Sequence, residues 1–230
     1  MISKKSIHIF IRLSIILLKD VFSGTFFRFA KNKKNELNFE YSIAITQEIK
    51  PSDTFDNKVF NLKYASLKIN EFIIFPNEIF SFWNIIGNPA LCYKTGRSIV
   101  NGKLKEEVGG GLCQVSGIIY HISILAGLEI IERHNHSVDI YSEETRFTPL
   151  GTDATVAYGF KDLRIRNSFN FPVKYQLEVK NNQITISLLS TEKIKENSLI
   201  FSISKHEKQT IVNVTNSNNL FVNRSVYKKI

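Results

Sequence analysis

The sequence predicts an α+β fold: a single domain with a central, mainly antiparallel sheet and a helix that carries a cysteine at its N-terminus. Two patterns support this prediction. Apolar residues recur every three or four positions over 115–128, directly after glycines at 109–111, which is typical of a helix with a buried face. Apolar and polar residues alternate over 173–188 on both sides of Asn181-Asn182, which is typical of a β-hairpin. Helix and strand patterns in separate stretches favour an α+β architecture.

The first segment of the chain is basic and apolar. Residues 1–34 contain eight basic side chains and one acidic side chain, so they hold seven of the nine net positive charges. The apolar run at 6–18 is interrupted by His8 and Arg12 and is shorter than the ~20 residues of a membrane-spanning helix. No small-residue cleavage site follows it, so we predict no signal peptide. A basic helix that docks on the domain or lies on an anionic membrane surface is expected, in a cytoplasmic protein peripheral to the inner face of the membrane.

The remainder of the chain is nearly neutral, which excludes a broad nucleic-acid-binding surface from the expected functions. Its two cysteines do not make a disulfide framework. Cys92 has no glycine or histidine beside it and is expected to be a packed or partly exposed thiol. A bridge between Cys92 and Cys113 is possible in an oxidising compartment, but it would consume Cys113.

Periodicity and turn residues predict the other elements. A helix over 57–71, a turn at Pro76-Asn77, a strand over 79–83, strands over 199–204 and 210–214, and a turn at 216–219 are expected. The chain then divides into three segments: a basic helix and linker over 1–35, an α+β domain over 40–190, and a strand-rich extension over 191–230.

The segment around Cys113 has the features of a reactive thiol site. Unpaired N–H groups and the positive end of the helix dipole at a helix N-terminus stabilise a thiolate. Gly109, Gly110 and Gly111 let the backbone approach a ligand and direct N–H groups at an oxyanion. The structural alternative is a tight turn before a helix that contains a small buried cysteine.

A base and an orienting group follow Cys113 in the sequence. Alternation predicts a strand over 136–141 with His134 and His136 on one face, and a second short strand over 151–158 that carries Asp153. Cys113, His136 and Asp153 can therefore supply nucleophile, base and orienting carboxylate. The order is similar to that of transglutaminase-like and papain-like thiol enzymes. His134 remains an alternative partner for Cys113.

Three further residues are candidates for oxyanion or substrate binding. Gln114 and Ser116 lie in the first turn of the predicted helix, and Arg166 can bind a carboxylate or phosphate in a planar, bidentate contact. A zinc site formed by the cysteine, the two histidines and the aspartate is a weaker alternative. We predict neither a metal nor another cofactor.

The same motifs resemble the VanW family. The resemblance rests on GGGLCQVS at 109–116, GTDATV at 151–156 and DLRIRN at 162–167, and it extends over roughly residues 40–190. Asn77 departs from the family pattern, which has glycine at this turn. The family takes its name from an accessory product of vancomycin-resistance operons, so the resemblance implies an accessory role in glycopeptide resistance and cell-envelope metabolism.

Two functions fit these observations. One is a Cys-His-Asp thiol hydrolase or acyltransferase that acts on an amide of a cell-wall precursor or envelope peptide. The other is a non-catalytic module in which the same pocket binds a muropeptide, a lipid headgroup or a partner protein, with Cys113 as a contact residue. Reactivity of the thiol distinguishes the two.

Overall fold

The computed structural model describes residues 4–31, 37–100, 103–139, 146, 148–217 and 220–229. The helices are α1 (Lys4–Phe22), α2 (Phe55–Ile69), α3 (Phe82–Ile86), α4 (Pro89–Cys92) and α5 (Leu112–Ala126), and a short 3-10 helix covers Thr25–Arg28. The strands are β1 (Tyr41–Glu48), β2 (Ile79–Ser81), β3 (Thr95–Val100), β4 (Lys103–Val108), β5 (Glu129–Glu132), β6 (Arg164–Arg166), β7 (Val173–Lys180), β8 (Gln183–Ser190), β9 (Leu199–Lys205), β10 (Gln209–Asn216) and β11 (Phe221–Lys228). All pairings between these strands are antiparallel, which confirms the α+β class.

The strands form several small sheets, so the prediction of one central sheet is wrong. The orders are β1-β8-β7, β11-β10-β9 and β2-β6-β5, with β3-β4 as a separate hairpin. The physical reason is α5, whose side chains are buried around most of its circumference. Such a helix needs apolar partners on several sides, and it packs on β1 and β8 as well as on β5 and α2.

Glycines set both ends of α5. Gly111 precedes the helix with φ of 99°, and Gly127 follows it with φ of 84°, a conformation that glycine adopts without strain. The helix begins at Leu112, so Cys113 is its second residue. Farther along, the Ser123 hydroxyl and the buried Tyr175 hydroxyl are 2.6 Å apart, which ties the helix to β7.

Two predicted turns are present. Asn181 and Asn182, with φ of 50° and 57°, join β7 to β8, which confirms the predicted hairpin. Asn77 has φ of 65°, a region that asparagine tolerates better than most residues. Asparagine is therefore compatible with the backbone of this turn.

The predicted helix over 57–71 corresponds to α2, and the predicted strands over 199–204 and 210–214 correspond to β9 and β10. The strand expected over 79–83 ends at Ser81 instead. The Ser81 hydroxyl accepts a hydrogen bond from the Asn84 N–H at 3.3 Å and so caps α3. The turn expected at 216–219 lies partly outside the described residues.

The two short strands predicted to carry His136 and Asp153 are not formed in the described residues. Between 134 and 139 only Val138 makes a bridge, with Lys228, while residues 140–141 lie outside the described ranges. The backbone instead uses individual partners: the Thr155 N–H donates to the His134 carbonyl at 2.7 Å. Because these partners satisfy the backbone, an extended segment does not need a sheet.

The N-terminal helix α1 docks on the domain through one face. Ile9 and Leu13 lie against Gly159, and the Arg12 Nε donates to the Gly159 carbonyl at 3.0 Å. Near the end of the helix, the buried Asp20 accepts two hydrogen bonds from Arg164, at 2.7 and 2.8 Å. Within the described ranges, no helix has the length and apolar character that crossing a bilayer requires.

The C-terminal sheet covers the irregular segment that contains His136. The Lys228 N–H donates to the Ser137 carbonyl at 2.8 Å, and the Asn135 side-chain amide donates to the Val226 carbonyl at 2.9 Å. On its inner face, Val212, Val214 and Tyr227 form a small apolar cluster. Strand β11 therefore provides hydrogen-bond partners for this segment, which is not part of a sheet.

We expect Gly110→Ala to destabilise the fold. A Cβ at Gly110 would lie 2.3 Å from the carbonyl carbon of Gly96 in β3, so the hairpin would have to move away from the start of α5. The free energy of unfolding should fall by about 3 kcal/mol, at the upper end of the usual overpacking cost, measured by thermal or urea unfolding. In the matched control Gly117→Ala, the nearest atom is 3.7 Å away, so stability should be retained. An unchanged Tm for Gly110→Ala would contradict the close contact.

Candidate functional site

His136 and Asp153 form a tight pair. Asp153 Oδ2 is 2.7 Å from His136 Nδ1, and it also accepts a hydrogen bond from the His136 backbone N–H at 2.7 Å. A carboxylate in this position makes Nδ1 the donor, which leaves Nε2 for another partner. These two contacts fix both the rotation and the tautomer of the imidazole.

The thiol of Cys113 is close to this imidazole. Its Sγ lies 3.6 Å from the Thr155 hydroxyl and 3.8 Å from the Val156 carbonyl oxygen, on the chain that follows Asp153. Burial alone would raise the pKa of the Cys113 thiol. The hydrogen bond and charge of His136 outweigh it, with smaller contributions from Val156 and Thr155, and the pKa is lowered.

The pKa values of the two partners shift in the complementary directions. Burial would lower the pKa of His136, but hydrogen bonds to Asp153 and Cys113 raise it to about 10. Burial would raise the pKa of Asp153, but His136 and the positive charge of Arg133 lower it to about 2. These directions favour a thiolate–imidazolium pair next to an ionised carboxylate at neutral pH.

Two further side chains hold the carboxylate. Arg133 Nη2 donates to Asp153 Oδ1 at 3.0 Å, and its Nε donates to the Asp153 carbonyl at 2.8 Å. The Tyr227 hydroxyl donates to the same Oδ1. Arg133 is itself anchored by the Ser225 hydroxyl at 2.7 Å. Asp153 is thus fixed by groups on both sides.

The start of α5 offers backbone donors next to the sulfur. Among the described residues, the N–H groups of Gly111 and Cys113 have no hydrogen-bond acceptor, whereas those of Leu112 and Gln114 bond to the Gly109 and Gly111 carbonyls. Free N–H groups beside a nucleophile can hold a developing oxyanion.

The other predicted binding residues have different positions. Gln114 lines the cavity beside Cys113, and its Nε2 donates to the Glu48 carbonyl at 2.8 Å. The Ser116 hydroxyl is fully buried and donates to the Ala154 carbonyl at 2.7 Å, so it braces the Asp153 loop and does not line the cavity. Arg166 pairs with Glu129 between β5 and β6 and does not line the cavity, so a role for Arg166 in substrate binding stays a prediction that this cavity does not support.

The three glycines also differ in their position relative to the cavity. Gly111 lines the cavity, whereas Gly109 and Gly110 do not. Gly110 instead allows the close contact with β3, and the Asn61 side chain donates to its carbonyl at 2.9 Å. Gly110 therefore allows the β3–β4 hairpin to pack against the start of the helix.

His134 is turned to a different partner. Its Nε2 lies 3.0 Å from Glu132 Oε1, whereas the hydrogen bonds to Asp153 are made by His136. Within the part of the chain that the structure describes, no group of three or more His, Cys, Asp and Glu side chains can hold a metal ion. Cys92 and Cys113 are both free thiols.

A cavity of about 460 Å³ opens next to Cys113 and His136. Its wall carries the cations Lys50, Lys58 and Arg97 as well as the polar side chains Gln47, Ser52 and Gln114. Arg146 lines it too but pairs in a bidentate manner with Asp139, at 2.6 and 2.9 Å. This volume is within the range of small-ligand sites.

Sequence reasoning missed Tyr227, Arg133 as the second partner of Asp153, and the cations of the cavity wall. Tyr227 lies in an alternating stretch that indicates a strand, but nothing local shows which group its hydroxyl reaches. For Lys58, the helical pattern of α2 gives the face of the helix, and only the tertiary structure brings that face to Gly111.

Comparison with known proteins gives a family match. A family model described as VanW like protein matches residues 57–189. The chain is 40% identical over 114 residues to the vancomycin B-type resistance protein VanW of Enterococcus faecalis (strain ATCC 700802 / V583), covering 49% of this chain and 42% of the relative. It is 35% identical over 136 residues to the uncharacterized protein YoaR of Bacillus subtilis (strain 168), covering 58% and 43%. The chain thus spans less than half the length of these relatives. No solved structure matches it.

The pH dependence of Cys113 alkylation tests whether Cys113 and His136 form an ion pair. Because only the thiolate reacts and its pKa is lowered, the iodoacetamide rate at Cys113 should stay high below the ordinary thiol pKa of 9.0 and fall only at more acidic pH. In His136→Ala the effect of burial remains and raises the pKa of Cys113, so the alkylation rate of Cys113 at pH 7 should fall about tenfold or more. Asp153→Asn should lower this rate by a smaller factor. Cys92 is the internal reference. Identical profiles for Cys113 in the wild type and in His136→Ala would contradict the pairing.

Proposed function

The chain belongs to the VanW family, and we propose that it is an accessory protein of the cell envelope, linked to vancomycin resistance, in which Cys113 transfers or hydrolyses an acyl group. The observation that carries the proposal is the connected set of Cys113, His136 and Asp153, with pKa shifts that favour the charged forms. The link to vancomycin resistance comes from the name of the relative in Enterococcus faecalis.

The proposed reaction is the cleavage of an amide in two steps. The thiolate attacks the carbonyl carbon and forms a C–S bond, while the oxygen takes up the negative charge and accepts hydrogen bonds from the free N–H groups of Gly111 and Cys113. The C–N bond then breaks, and the His136 imidazolium gives its proton to the leaving amine. A thioester on Cys113 and a neutral imidazole remain.

The second step releases the acyl group. Water, or the amine of another molecule, attacks the thioester carbonyl and loses a proton to His136 Nε2. The C–S bond breaks and restores the thiolate–imidazolium pair. Water gives hydrolysis and an amine gives transfer, so one site supports both outcomes. Asp153 stays ionised and holds the ring, and Tyr227 and Arg133 hold Asp153.

The proposed substrate is a cell-wall precursor or an envelope peptide. This assignment rests on the resistance protein among the relatives and on the size of the cavity, which suits a short peptide segment. The substrate meets Cys113 at the end of the cavity where Gly111 and His136 lie.

We propose further that α1 lies against an anionic membrane, at the cytoplasmic face. The face of α1 opposite the domain is also apolar and exposes Ile7, Phe10, Ile11, Leu17, Leu18 and Phe22 to solvent, with Phe10 71% and Phe22 88% exposed. The first 34 residues carry seven of the nine net positive charges. Apolar side chains with surrounding cations are the combination that binds anionic lipid surfaces.

A cysteine pair tests the catalytic proposal. Cys113→Ser should remove the contribution of the protein to growth in the presence of vancomycin and its effect on the muropeptide composition of the cell wall, because serine is a poor nucleophile without an adapted base. The catalytic rate of the Cys113→Ser variant should be lower than that of the wild type by a factor of about 10³ or more. Tm should change little, since the two side chains are similar in size.

The matched control is Cys92→Ser, which alters the exposed thiol and should leave growth and muropeptides as in the wild type. If Cys113→Ser keeps full activity in cells and the wild-type Cys113 thiol reacts no faster than a free thiol, the enzyme proposal fails. The non-catalytic binding module then becomes the better account.

A vesicle experiment tests the membrane proposal. The double variant Phe10→Ser, Phe22→Ser should lose binding to vesicles with about 30% anionic phospholipid, since each removed aromatic ring contributes about 1.5–3 kcal/mol of burial. The control Leu91→Ser alters an exposed apolar residue on α4 and should bind as the wild type does. Binding is measured by vesicle sedimentation. If the Phe10→Ser, Phe22→Ser variant binds at the wild-type level, the membrane contact is refuted.

A further inference from the structure

The cavity beside Cys113 contains more positive charge than its own acidic residues neutralise. Of the acidic residues that line it, Asp153 is engaged by His136, Arg133 and Tyr227, and Asp139 is engaged by Arg146. Lys58 and Arg97 also line the cavity. Within the described ranges, neither side chain forms an ion pair or a hydrogen bond through its charged group.

Lys58 is held close to the reactive end of the cavity. It lies in the first turn of α2, and its Cγ would be 2.9 Å from a Cβ placed on Gly111, so its stem lies directly over that glycine. Gly111 is two residues before Cys113. Burial lowers the pKa of Lys58 to about 8, with further contributions from the neighbouring charges of Arg97 and Lys50. An anion bound between these cations would favour the charged form of Lys58 and so raise its pKa again.

Polar atoms without partners also line this cavity. Gln47 is 5% exposed, and its Oε1 is buried with no hydrogen-bond partner in the described part of the chain. Gln114 Oε1 and the Ser52 hydroxyl are in the same condition, and all three residues line the cavity. Buried polar atoms of this kind are costly unless a ligand or water satisfies them.

The two sets of groups require different chemistry in the ligand. Lys58 and Arg97 are matched by an anion, whereas the amide oxygens of Gln47 and Gln114 accept hydrogen bonds and are matched by N–H donors. An inorganic or lipid phosphate supplies only the anion. A peptide that carries a free carboxylate supplies both.

We infer that these lining residues form a subsite for the carboxylate of a peptide substrate. Lys58 and Arg97 bind the carboxylate. Gln47 and Gln114 accept hydrogen bonds from the peptide N–H groups. The inference rests on the proposed function, since it names the substrate class of that same site. The carboxylate lies beside Gly111, so the substrate is oriented with its charged end at a fixed distance from the carbonyl that Cys113 attacks. Amidated or esterified peptides are then poor substrates.

Two thiol reagents of almost the same size test the subsite on the whole protein. Iodoacetate is an anion and iodoacetamide is neutral, so the ratio of their alkylation rates at Cys113 measures the attraction of the wall for a carboxylate. The ratio at Cys113 should exceed that at the exposed Cys92 of the same molecule. It should fall about tenfold in Lys58→Met and in Arg97→Met, the loss typical of one charge-assisted hydrogen bond.

The matched control is Lys63→Met, which removes a cation from an exposed position of the same helix α2. Methionine keeps the length of the lysine stem, and the ratio should remain at the wild-type value. Sodium chloride at about 0.5 M should lower the wild-type ratio by screening. If Lys58→Met and Arg97→Met leave the ratio unchanged, the subsite does not exist.

Competition by a dipeptide identifies the ligand class. N-acetyl-alanyl-alanine with a free carboxylate should slow alkylation of Cys113 by iodoacetamide, and its C-terminal amide should not. Equal protection by the amide, or protection by inorganic phosphate without protection by the dipeptide, would overturn the peptide-carboxylate assignment.

The outcomes separate this inference from the proposed function. If Cys113 is activated but the reagent ratio does not respond to Lys58 or Arg97, the subsite alone fails. If Cys113 is no more reactive than Cys92 while the ratio still depends on Lys58, the cavity binds a carboxylate without catalysing a reaction at the thiol.

Discussion

The arrangement around Cys113 depends on the carboxylate of Asp153, whose side chain is 18% exposed. A carboxylate largely removed from water is costly unless several donors compensate it. The donors here are the ring and backbone of His136, the guanidinium of Arg133 and the hydroxyl of Tyr227. They come from the segment after β5 and from β11. Satisfying one charge therefore fixes the histidine segment and the C-terminal sheet relative to each other.

The electrostatics of the cavity follow from the same group. With Asp153 ionised, His136 is held in its charged form, and a charged His136 favours the thiolate of Cys113. Together with the guanidinium of Arg133, which pairs with Asp153, these charges sum to zero. The charge of Lys58, which lies over Gly111, is not balanced by this set. The charge of Cys113 is thus compensated within the protein, whereas the proposed carboxylate ligand would compensate Lys58 and Arg97.

The sequence was sufficient to predict the parts of the fold that local chemistry decides. Glycines followed by a 3.6-residue apolar pattern predicted α5, and two asparagines able to adopt positive φ predicted the β7–β8 hairpin. The sequence order also suggested grouping Cys113 with His136 and Asp153. It failed where side chains replace backbone partners: alternation around His136 suggested a strand, but the Asp153 carboxylate takes the His136 N–H instead.

Contacts between distant parts of the chain explain what the local patterns did not predict. Arg166 has the residue type of a substrate ligand, but its neighbour across β5 is Glu129, a pairing that depends on sheet register. Tyr227 and Lys58 acquire their roles only when β11 and α2 pack against the region of α5. Local patterns give the type and direction of an element, whereas long-range packing decides which group a side chain meets.

The position of Tyr227 in the chain also matters for the time at which the site is completed. Synthesis on the ribosome proceeds from the N-terminus, and Cys113, His136 and Asp153 are all made at least 74 residues before the tyrosine whose hydroxyl holds Asp153. A nascent or truncated chain that lacks β11 has the three residues but neither this hydroxyl nor the strand that covers the histidine segment. The contacts that hold Asp153 and cover the histidine segment are therefore complete only after the C-terminal sheet has folded.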